Sequence, residues 1–191
     1  MNTLRPAAAL LLLGMTAASY QQNPSAPKTG ERPGPAAVDA AMRGEAASTD
    51  QVLAKLHAIN GMETQAGKLA LSKSKDSETL RFAKLLVRDH ALLEKKTQAF
   101  ARKTATPLST SEAGPDESAM LKRLESSASG PGFDRVFADA MKQGHDEALA
   151  YLRAAKSGTT EYRLRAFIDQ VLPVIGQHDA LAGKLQARRL E

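Results

Sequence analysis

The chain has 191 residues, 42% of them hydrophobic, with no cysteine and a formal charge of +5. That length supports one domain core, and the missing cysteines exclude disulfides, thiolate metal sites and a cysteine nucleophile. Lys and Arg are interleaved with Asp and Glu as on a solvated surface, leaving weak attraction to anionic envelope components as the basic excess allows; 4% aromatic content and no recognised module argue against nucleic acid as a partner.

Residues 1–19, MNTLRPAAALLLLGMTAAS, have the parts of a secretory signal peptide: Arg5 in a short basic region, an apolar run from Ala7 to Leu13, and small residues at Ala17, Ala18 and Ser19. The run is shorter than the ~20 apolar residues a membrane span needs. The expectation is export to the periplasm or beyond, with no transmembrane span in the mature protein. Residues 20–47 are rich in Pro, Gly and Ala and read as a flexible tether, with a short helical turn near Val38 to Met42. Residues 48–191 form the globular part.

Four long helical segments follow. The first starts at Ser48 or Thr49, where Ser48 and Gln51 have capping-box spacing, and its apolar stripe is Val52, Leu56, Ile59, Glu63, Ala66 and Ala70. Asp76 caps the second, whose stripe holds Ala83, Leu86, Val87, His90, Leu93 and Ala101. A long connection from Lys103 to Gly132 carries one short helix, DESAMLKRLESS. The third segment buries Phe137, Met141, His145, Leu149 and Leu152, and the fourth Phe167, Val171, Ile175, His178, Ala182 and Leu185, with a bend expected at Pro173. Short links within each pair and a long one between the pairs predict an all-α fold, a ferritin-like four-helix bundle of two antiparallel hairpins joined by a crossover.

One carboxylate and three histidines thus lie inside apolar stripes. His57, among Asn60, Gly61, Thr64 and Lys68, reads as a surface residue, and so do Asp89, Asp146, Glu147 and Asp179, because neighbours in helix sequence do not face one another. At ~1.5 Å per residue, Glu63 and His90 stand level across their hairpin. His145 and His178 differ by seven residues when counted from Gly158, a mismatch of roughly 10 Å. Glu63, His90 and His145 therefore form the expected cluster, with His178 nearby. Neutral imidazoles with a carboxylate suit one Zn, Cu, Ni or Fe ion; Glu94 is a possible second carboxylate and the Met141 thioether a possible soft ligand for copper. A di-iron site is disfavoured because residues three before the histidines are Val87, Lys142 and Ile175, not glutamate. The plain alternative is a set of core histidines bonded to one another or to Glu63. Gly144 and Gly176, within helices beside the histidine level, fit close helix approach better than room for a ligand.

The segments GMETQAGKLAL, FAKLLVRDH, FDRVFADAMKQGH and AFIDQVLPVIGQH, in this order and spacing, resemble the exported bacterial family catalogued as domain of unknown function 4142. The resemblance covers Gln51 to Leu185. It implies a ferritin-like bundle in the cell envelope with no established activity, and it points to Glu63, His90, His145 and His178. Gly144 departs from the family's preference for an acidic residue at that position. Three roles follow: a non-catalytic envelope or stress-related binding protein holding a metal ion, a metal-dependent redox enzyme using the same residues, or a structural interaction module. No catalytic residue, nucleophile motif or phosphate loop stands out, and nothing in the sequence fixes an oligomeric state.

Overall fold

The apolar stripes become the inner faces of helices. The structure, a computed structural model, describes residues 47–108 and 115–188. These form five helices, α1 (Thr49–Lys73), α2 (Ser77–Thr104), α3 (Pro115–Ser126), α4 (Pro131–Gly158) and α5 (Tyr162–Ala187), and no strand occurs among the described residues. The expected signal peptide, the expected helical turn at 38–42 and all of the tether but Ala47 lie outside the described residues.

The starts of the helices obey their caps. The expected capping box is present, with the Gln51 side chain accepting from the Ser48 backbone N–H at 2.9 Å, and Asp76 Oδ1 accepts from Thr79 N–H at 2.8 Å. At the head of α4, Gly130 has φ +91, a conformation that glycine adopts without the steric cost of a side chain. Its N–H donates to the Lys73 carbonyl at 3.0 Å, which ties the start of α4 to the end of α1.

That tie sets the topology. α1 and α2 form one antiparallel hairpin, α4 and α5 another; α1 packs beside α4, and α2 beside α5. Because α4 starts where α1 ends, it runs in the direction of α2, and the connection from Thr104 to Pro131 travels from one end of the bundle to the other. Two apolar clusters agree with these directions. Val52, Leu56 and Ile59 of α1 share one cluster with Leu93 of α2, Leu152 of α4 and Phe167 to Ile175 of α5. Ala66 and Ala70 share the other with Phe82 and Leu86, Phe133 and Phe137, Ala182 and Leu185.

α3 lies on the connection and packs against α1 and α4. Leu124 anchors it in the second cluster, and the Lys73 ammonium reaches its last turn, donating to the carbonyls of Leu124 (3.2 Å), Glu125 and Ser127 (2.9 Å). A cation on helix C-terminal carbonyls meets both their hydrogen-bonding need and the helix dipole. α5 continues through Pro173. Among the described residues no helix is long and apolar enough to cross a membrane.

Candidate metal centre

Between the two apolar clusters the bundle is crossed by a polar layer. His90 of α2, His145 of α4 and His178 of α5 are each at most 1% exposed, and Asn60 and Glu63 of α1 are equally buried. The imidazoles arrive there for the same local reason: each sits three or four residues from apolar neighbours on one helix face, such as Leu86 and Leu93 around His90, so burying the stripe turns the ring inward.

The three rings meet. Their centroids are 5.2 Å apart for His90 and His178, 5.5 Å for His145 and His178, and 5.9 Å for His90 and His145. One nitrogen from each lies within 4.8 Å of the others. The link cuts the height mismatch expected for His178 from seven residues to three: Thr159 to Glu161 lies outside both helices, so His178 is 16 residues into α5 against 13 from His145 to the end of α4. A tetrahedral ion with ~2.0–2.1 Å bonds wants its nitrogens ~3.4 Å apart, so small ring movements would close the cluster on one.

Each ring has one nitrogen committed and one without a partner. His145 Nδ1 donates to the Met141 carbonyl at 2.7 Å, an acceptor that leaves no other tautomer. His178 Nε2 donates to Asp89 Oδ2 at 3.0 Å. His90 Nδ1 is 3.1 Å from Asn60 Oδ1, and the Asn60 amide is oriented by donating in turn to Glu94 Oε2 at 3.3 Å. That leaves His90 Nε2, His145 Nε2 and His178 Nδ1, all buried and all without a hydrogen-bond partner in the protein. Such outward bonds fix tautomer and ring orientation in histidine metal sites and increase ligand basicity.

The electrostatics favour the neutral form of two of the rings, His90 and His178. Burial pulls His90 well below the ordinary imidazole range, and the neighbouring His145 and His178 pull the same way. Burial lowers His178 too, against the opposing Asp89 bond. Burial pushes the Asp89 carboxyl up, but bonds from Arg88 and His178 outweigh it and hold the group below the usual carboxylate value. Glu63 is pushed up by burial, opposed by His145.

The other expected ligands fall outside the trio. Glu63 Oε1 is 3.8 Å from His145 Nδ1, on the committed side of that ring, and its Oε2 has no partner. Glu94 turns away: Oε1 is taken by His57 Nδ1 and Gln98 Nε2, both at 2.7 Å, so it braces Asn60 instead of facing the histidines. Met141 supplies its backbone carbonyl, while its side chain belongs to an apolar cluster.

Two expectations are corrected. Asp89 is no mere surface carboxylate, since a histidine from a neighbouring helix reaches it. Close helix approach belongs to Gly67, where a Cβ would stand 2.8 Å from Val87 Cγ2 and 3.0 Å from the Ala83 carbonyl. At Gly176 a Cβ would meet nothing within 4 Å, and at Gly144 only Glu63 Oε1, at 3.6 Å. Asn60 went unrecognised; its place one turn before Glu63 was the available signal.

No curated protein and no solved structure matches the chain. One family pattern does, over residues 34–185, a span that takes in all three histidines and Glu63. The chain belongs to the family described as Domain of unknown function (DUF4142).

Proposed function

We propose that this is an exported protein of the cell envelope whose bundle holds one transition-metal ion on His90, His145 and His178, in a non-catalytic binding or stress-related role. One observation carries the reading. In all three buried imidazoles one nitrogen is bonded to a fixed acceptor and the other has no partner, and the three rings meet with one nitrogen of each within 4.8 Å of the others. Core histidines that served packing alone would satisfy one another, because an unpaired buried polar atom costs about 1–3 kcal/mol. Three borderline nitrogen donors suit Zn, Cu, Ni or Fe(II), and they leave a fourth position for water or a carboxylate. Export rests on the composition of residues 1–19.

A di-iron oxidase would need several carboxylates at the centre. Among the described residues two carboxylates stand beside the rings, Glu63 at 3.8 Å from His145 and Asp89, which is committed to His178 and Arg88. The donor set thus favours holding an ion over oxygen chemistry at an iron pair.

The test is elemental mass spectrometry on the mature protein purified without an affinity tag, beside a His90→Ala/His145→Ala variant. The expected result is near-stoichiometric metal in the parent and none in the variant. Metal in neither, even after dialysis against Cu, Zn and Fe, would reduce the histidines to core residues and favour an interaction role.

A further inference from the structure

The three ring nitrogens are sealed from solvent, so an ion must have a way in. Two sides of the polar layer come near the surface. On one, Asp89 is partly exposed, but Arg88 Nε stands 2.7 Å from its Oδ1 and His178 holds its Oδ2. That carboxylate has no oxygen to spare, and the guanidinium beside it repels a cation.

The other side differs. Between α1, α3 and α4 lies a cavity of about 440 Å³ whose deepest polar residue is Glu63. Ile59, Met62 and Met120 give it apolar walls, and Gly144 keeps the floor clear, because any side chain longer than a methyl there would grow from a point 3.6 Å from Glu63 Oε1. Glu63 Oε2 has no partner, and Oε1 is 3.8 Å from the His145 ring. Lys55, Arg123 and Glu147 mix both signs around the mouth, so long-range steering adds little and the attraction for a cation is concentrated at the floor.

We propose that this cavity is the route by which a divalent transition-metal ion reaches the histidines, with Glu63 as the carboxylate that takes the ion from solvent and passes it to the ring cluster. The route rests on the metal-binding reading of that cluster. Glu63 acts by exchanging one water of the incoming ion for a carboxylate oxygen, a hard ligand that binds readily and releases to imidazole nitrogen. In this role it need not be one of the final ligands, and it stands outside the histidine trio.

The experiment follows Co(II) uptake by the metal-free mature protein, using the visible absorption that Co(II) gains in a nitrogen-rich tetrahedral site. Ala119→Trp and Gln143→Trp place bulk at the cavity lining from α3 and α4, at positions exposed enough to tolerate it. Lys122→Trp, exposed on α3 away from the lining, is the control. Each of the two lining variants is expected to slow uptake at least tenfold while its equilibrium Kd stays within twofold of the parent; Glu63→Gln slows uptake too, and the control keeps the parental rate. Circular dichroism identifies a misfolded variant, and the lining position on the other helix then decides. Parental rates in the folded lining variants overturn the route and leave the metal site standing. A parent with no Co(II) absorption at saturation overturns the metal site and the route together.

Discussion

α1 is seamed to α2 on one side and to α4 on the other, and the two seams are built in opposite ways. Against α2 the contact is closed: Gly67 lets the backbones approach, and Asn60 is locked between Glu94 and His90 with its polar atoms in use. Against α4 the contact stands open: Gly144 and Glu63 face each other across space, one carboxylate oxygen has no partner, and α3 covers the gap from outside. The same helix therefore orients the His90 ring with one face and leaves room beside the polar layer with the other. Rigidity is concentrated where a tautomer must be fixed.

The closed seam gives the largest effects. Asn60→Ala removes the acceptor for His90 Nδ1 and the donor for Glu94, and loss of such outer support costs metal affinity 10–100-fold; competition titration with a chelator measures it, and an unchanged Kd would show that His90 needs no orienting partner. Gly67→Ala comes next. The added methyl meets a branched side chain and a backbone carbonyl at 3.0 Å or less, an overpacking cost of about 1–3 kcal/mol, offset by the ~1 kcal/mol that alanine gains over glycine in a helix. Chemical denaturation should show a net loss of up to about 2 kcal/mol.

On the open seam the signature is a pH dependence. The folded state raises the Glu63 pKa above its ordinary value of 4.5 because burial disfavours the charge. Its contribution to stability is therefore fully present below about 4.5 and lost as pH rises through the raised value. Glu63→Gln abolishes that loss, so the metal-free variant should be more stable than the parent at neutral pH, and the difference should shrink to nothing on acidification. His90 and His178 act oppositely: their lowered pKa values mean stability present above about 6.5 and lost as pH falls. That acid loss should survive in the variant. Thermal melts from pH 4 to 8 test both statements.

The helices and the inward histidines were legible in the sequence because a 3.6-residue period records which face is buried. The partners of the outward nitrogens were not. Asn60 shares a helix face with His57, which read as exposed, and Asp89 lies beside His90 in sequence but is used by His178 from another helix. Both depend on the register between helices, which loops set and periodicity does not record. The link at Thr159 to Glu161 shows this directly, since it removes more than half of the height difference between His145 and His178. The cavity was hidden for a similar reason: the place of α3 is fixed by Lys73, about fifty residues earlier, through backbone carbonyls that carry no sequence signal.

Gly144→Ala is the smallest predicted change and the sharpest contrast with Gly67→Ala. The chemical step is the same, a hydrogen replaced by a methyl inside a helix. At Gly144 the methyl would stand 3.6 Å from Glu63 Oε1, an ordinary contact with nothing to push aside. The helix-propensity gain then survives, and stability should rise by up to about 1 kcal/mol, where Gly67→Ala lowers it. A gain at Gly144 beside a loss at Gly67 means that the space beside Glu63 is not needed for folding, which leaves occupancy of that space as its use. A loss at both positions would mean that α1 and α4 are in tight contact in solution and the open seam is closed.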